Sequence, residues 1–478
     1  MKKITYILLV LVLGFSSCES YLEVEPKNVT VVKTYDDVKT LMGACLSEYT
    51  QGSSVSNVSP FYSNDDFFKT FIYYSGQLDD AVYLDNWWGR NNRGIFYESL
   101  QWYNKNFHSN LWNNLYSSIG YYNTVLGELD ALSGITEDET NIIQAEAKFL
   151  RAWNLFKLMQ YFSPYNRDDL GIPVNLNADD VLSYNSERKT QTEVYAIIIK
   201  ELEDILSYTT EPTEFSLFYD KQLVNALLAK VYHFKGASGA GVEGDYDMAI
   251  EYATKAMEGR KLANIDEFDD LFDIQESGVE KENHNALLVC TPFGYSNEYR
   301  DAVHGNPSWG QPNYASERLS QLMSDNDVRN AWVNNVDRSI NKFKNLSGLG
   351  INPYFFFRIA DLHLIVAESY ARKGDMAKAK TYLEEFQSNR ITGYTEFTGS
   401  DVLQEILDER KREFCFEFDM LWMDMVRTGK GFTRPAIDDE DVESYTLEDG
   451  DYRLTQPIPF NSELENNNID QNPGWNLH

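Results

Sequence analysis

Cysteine and histidine are scarce in this chain, with 4 and 6 copies in 478 residues. The cysteines are Cys18, Cys45, Cys290 and Cys415, and none of them has a neighbour at metal-ligand spacing. With Cys18 set aside for the reason given below, three are left, an odd number that leaves at least one free thiol. Disulfides therefore do not organise the fold. Cys415 lies in the apolar run Phe414-Cys415-Phe416 and reads as a small core residue. His108, His233, His284, His304, His363 and His478 show no paired spacing, which argues against a zinc site. Beyond the N-terminal segment no stretch is apolar enough to span a bilayer.

Positive charge is also in short supply: 42 basic residues face 74 acidic ones, for a net charge of −32. That sign disfavours nucleic acid, anionic lipid surfaces and phosphorylated ligands, all of which want a positive field. What is abundant is aromatic surface, with 31 Tyr and 9 Trp, many of them in polar segments instead of at helix-core spacing. The length is enough for a large core and for roughly one to three domains.

The N-terminus bears on the compartment. Met1-Lys2-Lys3 is positive, Tyr6–Phe15 is an apolar run of signal-peptide length, and Ser16-Ser17-Cys18 follows. Small residues before a single cysteine at this place match a bacterial lipoprotein processing site, with 1–17 removed and Cys18 acylated. The plainer alternative is an ordinary cleaved signal followed by an incidental cysteine. Residues 18–34 are polar, carry Pro26 and suit an extended tether, and one domain is expected over 35–478.

Within that domain, Ile359–Phe386 shows the clearest order. Ile359, Leu362, Val366 and Tyr370 form one apolar helical face, and Met376, Ala379, Leu383 and Phe386 form another. Gly374 between them suits a left-handed helix end, and Asp375 can cap the second helix. The pair is of tetratricopeptide type. An earlier copy aligns with it. Ala229, Tyr232, Lys235 and Gly236 match Ala367, Tyr370, Lys373 and Gly374, and after an eight-residue insertion Gly244, Ala249 and Tyr252 match Gly374, Ala379 and Tyr382. About 100 residues separate the copies, far more than the roughly 34-residue tandem period of ordinary arrays. The fold class expected is mostly α, with interrupted tetratricopeptide-like pairs, long irregular insertions and a few short strands.

In chain order, helices are expected over Tyr35–Tyr49, along the stripe Leu111, Leu115, Ile119, Tyr122, Leu126 and Leu129, and over Asn141–Phe162. The last is apolar nearly all round, hence buried, and Pro164 ends it. Thr190 and Glu193 form a capping-box pattern before another helix, and the first hairpin follows at about 221–258. A long helix is expected from Asp401 to Arg427, then an irregular C-terminus wrapping the surface. Two stretches break the helical period: about 50–105 and about 262–354, the latter with a short strand at His284–Cys290. Long ordered loops are usually functional, and the first of these is too aromatic for disorder.

Several constellations read blandly. Gly236–Gly241 lacks the strand and the Lys-Ser/Thr of a phosphate loop and reads as a lengthened linker. Asp65-Asp66 and Asp79-Asp80 could serve glycoside hydrolysis, which needs two acids about 5–10 Å apart, but adjacent acids are common in so acidic a chain. The run Asp438–Asp441 could bind calcium but lacks an EF-hand pattern, and no cofactor is implied. Glu409-Arg410-Lys411-Arg412-Glu413 with Glu417 reads as ion pairs at i, i+3 and i+4. The aromatic insertions differ. Trp87-Trp88-Gly89-Arg90-Asn91 joins flat rings to amide and guanidinium groups, and sugars offer apolar C–H faces ringed by hydroxyls. With Asp65, Tyr295 and Trp309, these are the expected ligand contacts.

Ala145-Glu146-Ala147-Lys148-Phe149-Leu150-Arg151, Glu409–Glu417, Trp422–Lys430 and Pro457-Ile458-Pro459 with Asn468–Gly474 occur in that order behind a lipoprotein signal. So arranged, the chain resembles the SusD/RagB family of Bacteroidetes outer-membrane lipoproteins. One departure stands out: Phe418-Asp419-Met420 replaces the family's Gly-aromatic-Arg. The resemblance implies a non-enzymatic, cell-surface lid on a SusC-like TonB-dependent transporter, capturing an oligosaccharide or similar nutrient. It places the ligand loops broadly at 60–105 and 280–320. The alternatives are a lid for a peptide or other non-glycan nutrient, and a surface glycosidase.

Overall fold

The computed structural model describes residues 32–47, 49, 105–178, 187–272, 279–280, 285–290, 305–306, 311–312, 315, 317–334, 336, 339–342, 354–417, 419–435, 444–459 and 469–475. Helix α1 spans Tyr35–Ser47, two residues short of the expected end. Helix α2, Lys105–Ala131, buries the predicted stripe from Leu111 to Leu129. Helix α3, Glu137–Phe162, is capped by reciprocal bonds between Thr136 and Glu139 and is buried on almost every side from Asn141 onward. It ends at Ser163, before Pro164. Helix α4, Gln191–Ser207, carries the expected box: the Glu193 amide donates to Thr190 Oγ1 at 3.1 Å, and the Thr190 amide to Glu193 Oε2 at 2.8 Å.

The two hairpins follow the sequence pattern closely. Helices α5 (Lys221–Ala237) and α6 (Asp245–Ala256) form the first. The second insertion comes next. It contains β1 (Val279–Glu280), β2 (Ala286–Cys290), β3 (Gly305–Asn306), β4 (Gln311–Pro312) and α7 (Glu317–Leu322), and ends in β5 (Tyr354–Arg358). Helices α8 (Ile359–Arg372) and α9 (Met376–Ser388) are the second hairpin. Gly244 and Gly374 sit at the matching turns with φ of +100° and +84°, and Asp375 accepts the Lys378 amide at 3.2 Å. The aligned tyrosines behave alike: Tyr232 stacks on Tyr252 and Tyr370 on Tyr382, each at 5.7 Å between ring centroids.

Each helix from α2 to α6 packs on the next, α6 packs on α8, and α8 on α9. The hairpins are thus neighbours in space despite the residues between them. Small side chains (Ala229, Ala249, Ala253, Ala367, Ala371 and Ala379) are buried along these contacts and let the axes approach closely. Strand β2 is buried throughout and pairs antiparallel with β1 and β5, Leu288 lying opposite Phe356.

Three expectations are corrected. The region 262–354 is not wholly without helix: α7 and 3₁₀ turns at Ile265–Asp270 and Val328–Trp332 lie within it, each too short to show a period. The helix expected from Asp401 to Arg427 is two, α10 (Val402–Phe414) and α11 (Met420–Thr428). Between them Phe416 takes φ +65°, and Lys342 Nζ donates to the carbonyls of Glu413 (2.6 Å) and Cys415 (2.9 Å) that the helix leaves unpaired. The C-terminal segment, after β6 (Phe432–Pro435) and β7 (Ser444–Leu447), is irregular as expected but is partly core, with Ile458, Ile469 and Trp475 buried. As expected, Cys415 is a small buried core residue.

Gly374 and Gly120 make a paired test, since neither has an atom within 4 Å of a built Cβ. Gly374→Ala should lower stability by about 1–2 kcal/mol because of its positive φ. Gly120→Ala, inside α2, should raise it by roughly 0.5–1 kcal/mol. Urea titrations of both variants check the signs.

Candidate functional site

The residues singled out for ligand contact, Asp65, Trp87, Trp88, Arg90 and Asn91 in the first insertion and Tyr295 and Trp309 in the second, lie outside the described residues. So do Cys18, Asp66, Asp79, Asp80 and the run Asp438–Asp441. What is described is the base from which both insertions spring. Tyr49, just after α1, places its ring 5.0 Å from Phe218 and 6.2 Å from Phe356 of β5. Phe356 also meets Trp153 (5.2 Å), Phe218 (5.4 Å) and Tyr354 (4.3 Å). Where the chain enters the first insertion and where it leaves the second are therefore joined in one aromatic cluster on α3.

The second insertion is also held by charge. Helix α10 presents Glu409 and Glu413 on its buried side, and Glu417 follows in the turn after it. Glu413 accepts from Arg358 Nη2 at 2.5 Å and Arg390 Nε at 2.9 Å, with Arg329 Nη1 at 3.4 Å. Glu417 takes Arg358 Nη1 at 2.5 Å and Lys342 Nζ at 2.6 Å, and Glu409 takes Arg329 Nη1 at 2.7 Å. Asp327 holds Arg329 from the other side at 2.8 Å. The ion pairs expected within the helix are mostly tertiary; Arg412–Glu409 is the expected i, i+3 pair, at 2.6 Å. Burial alone would raise the pKa of Glu413, but Arg390, Arg358 and Arg329 more than offset this and hold it ionised far below the carboxylate range. Glu409, buried but faced by Arg329 and Arg412, is pulled down to about 2.

A second cluster joins the two hairpins. Glu368 of α8 accepts from Arg427 Nη2 of α11 at 2.7 Å and lies 3.3 Å from His233 Nε2 of α5. Burial, then the Arg427 charge, lowers the His233 pKa to about 4, so the imidazole is neutral near pH 7. Arg410 of α10 bridges Asp361 (2.9 Å) and Asp424 (2.8 Å). On α3, the Glu146 carboxylate accepts the amides of Leu217, Phe218 and Tyr219 at 2.8 to 3.1 Å, fixing the turn into α5.

Between β5, α3, α5 and α11 lies a small cavity of about 60 Å³, walled by Trp153, Tyr354 and Phe357 with Lys157, Lys230 and Asp419. It has room for a few water molecules and none for a sugar ring. Asp419, where the sequence departs from the family pattern, accepts from Lys157 Nζ at 2.9 Å and the Tyr161 hydroxyl at 2.6 Å. Lys230 Nζ contacts Asp361 at 3.2 Å and Met420 Sδ at 3.4 Å. The cavity is a seam of paired charges that shapes the base; the chemistry it offers is anchoring. Among the described residues no group of three or more His, Cys, Asp or Glu side chains is arranged to hold a metal. The anchoring cations Arg329, Lys342, Arg358 and Arg390 have faint sequence signals, the clearest being Arg358 at the end of the apolar run Tyr354–Phe357.

Comparison with known proteins gives one consistent relationship. A SusD-like model described as "Starch-binding associating with outer membrane" matches residues 20–233, and a SusD/RagB model described as "SusD family" matches 304–475. No curated protein matches the chain. Among solved structures, a SusD superfamily protein from Bacteroides vulgatus ATCC 8482 superposes with a TM-score of 0.72 at 18% identity, covering 93% of this chain and 100% of its own. A putative sugar binding protein from the same organism gives 0.68 at 21%, covering 94% and 100%. A "Laminarin binding SusD-like protein" gives 0.62 at 20%, covering 92% and 99%. At such identities the likeness concerns the fold.

Two measurements test the charged base. Glu413→Ala should cost roughly 3–5 kcal/mol in urea unfolding, because it strands buried guanidinium groups. Acid should act in two stages. His233 takes up its proton near 6.5 when unfolded and near 4 when folded, so stability falls as the pH drops through that window. Glu409, displaced from 4.5 to about 2, adds a further loss between those values. Urea midpoints from pH 7 to 2.5 should fall throughout, and His233→Gln should flatten the upper part.

Proposed function

Because the chain belongs to the SusD/RagB family of carbohydrate-binding proteins, we propose that it captures an oligosaccharide or similar nutrient at the cell surface. In this reading it serves as the lid of a SusC-like TonB-dependent transporter, tethered to the outer membrane through Cys18. The observation that carries the reading is the shared aromatic root of the two insertions. A root common to both allows their aromatic and amide groups to act on one ligand, and a rigid base lowers the ordering cost of binding. Asp65, Trp87, Trp88, Arg90, Asn91, Tyr295 and Trp309 are the proposed contacts. Anchoring through acylated Cys18 accords with a chain whose described residues include no helix long and apolar enough to cross a membrane. Association with a transporter is supported by the helical-repeat scaffold, since stacked repeats commonly present protein-binding surfaces.

Calorimetry with laminarin and maltoheptaose tests the ligand class. Trp87→Ala or Trp309→Ala should weaken binding about tenfold, the scale of one well-packed aromatic contact. Unchanged affinity in both variants removes the site assignment, and turnover of either glycan, lost with Asp65→Asn, replaces binding by hydrolysis. Cys18→Ala should abolish incorporation of labelled palmitate in cells; labelling that persists rules out the anchor.

A further inference from the structure

A second concavity is lined by residues that belong to neither insertion. It has a volume of about 250 Å³ and is formed by the loop after α3 (Pro164–Arg167), Gly429 at the end of α11, the turn at Asp451 and Tyr452, and Pro473. Its distinguishing feature is Tyr452. Among the described residues this is the one aromatic ring among the exposed large hydrophobic side chains, at 46% exposure.

The ring is exposed yet fixed. It stands edge-on to buried Trp475 at 5.2 Å, and the Trp475 indole donates to the Thr455 carbonyl at 2.8 Å. Gly474, at φ +87°, lies so close beneath that a Cβ there would sit 2.4 Å from the ring. The Arg453 guanidinium lies over the ring at 6.0 Å from its centroid and is held there by Asp451 at 2.6 Å. The floor is equally ordered, since Asn472 donates to the carbonyls of Phe162 (2.9 Å) and Gln456 (2.7 Å) and accepts from Arg188 (2.8 Å). A side chain already immobilised costs little further entropy when a ligand settles on it.

Hydrogen-bonding capacity faces the same space. Asn166 is exposed, and among the described residues its amide has no partner. Arg167 is tied to Asp169 through Nε (2.8 Å) and Nη2 (2.6 Å), which leaves Nη1 unengaged among the described residues. The two guanidinium groups here are each matched by a carboxylate, so the cleft carries no surplus charge to favour an anion. A flat ring, an amide and a spare N–H around a neutral cleft suit a ligand with one apolar face and hydroxyls at its edge. The volume of about 250 Å³ has room for one sugar ring.

We propose that this cleft is a second carbohydrate-binding site taking one neutral sugar residue, stacked on Tyr452 and hydrogen-bonded by Asn166 and Arg167. It rests on the reading of the protein as a carbohydrate binder and adds a contact outside the insertions. A chain end or branch held there would be retained by two weak contacts instead of one, which raises overall affinity through effective concentration.

Saturation-transfer NMR with the methyl glycosides of D-glucose, D-galactose, D-mannose and D-xylose tests it. The background is the full mature chain carrying Trp87→Ala and Trp309→Ala, so that the cleft is read alone. At least one glycoside should receive saturation. Adding Tyr452→Ala should abolish the signal, Tyr452→Phe should retain it, and Asn166→Ala, at an exposed position that should not disturb folding, should lower affinity roughly two- to tenfold. No signal in this background, or a signal unmoved by Asn166→Ala and Tyr452→Ala, overturns the cleft; if the unmutated chain still binds, the insertion site stands. Glycan binding insensitive to Trp87→Ala and Trp309→Ala but weakened by Asn166→Ala keeps the cleft and removes the insertion assignment.

Discussion

A carboxylate surrounded by three guanidinium groups where water cannot screen them is the interaction on which the rest of this structure depends. Glu413 brings together Arg329, Arg358 and Arg390, which come from the second insertion, the strand that closes it and the end of the second hairpin. None of these charges can be buried alone at tolerable cost, and each is satisfied only when the other segments are in place. The network therefore selects one arrangement of four distant stretches of chain. Lys342 extends the same logic to the backbone: by taking the carbonyls of Glu413 and Cys415 it ends α10 and swings Glu417 toward Arg358.

The second charged cluster does for the scaffold what the first does for the insertion. His233, Glu368 and Arg427 lie on α5, α8 and α11, so the interface between the two hairpins carries a specific polar contact as well as alanines. Lys373 at the turn of the second hairpin reaches Asp247 of the first, adding an exposed pair to the same interface. The hairpins consequently stack as neighbours although about 100 residues separate them in sequence.

Legibility in the sequence followed the range of the interactions. Helices with a sustained apolar period, the box at Thr190, and the turns at Gly244 and Gly374 are set by residues a few positions apart. The matching tyrosine pairs could be aligned because the hairpins share local geometry. The split between α10 and α11 could not be seen, since the period runs on through Phe414 and Leu421 and the break is imposed by Lys342 from elsewhere. Of the ion pairs expected in Glu409–Glu417, Arg412–Glu409 forms within the helix, and the tertiary ones escaped for the same reason: long side chains on a buried helix face reach other elements. At the candidate sites, the aromatic insertions were conspicuous by composition. The Tyr452 cleft was not, because Asn166, Arg167 and Tyr452 look like ordinary loop residues until the fold brings them together.

The meeting of Tyr49 with Phe356 has a consequence for how such a protein can change. Both irregular stretches begin or end on the same buried rings, so the ends that must be closed are already fixed by the helices. Closure entropy grows only logarithmically, about 0.6 kcal/mol for each doubling of length. Residues outside the Glu413 network can thus be added, removed or exchanged beyond that root at small thermodynamic cost, while the network and the rings beneath it stay under tight control. Selection for a new nutrient would then act on one part of the gene and selection for folding on another.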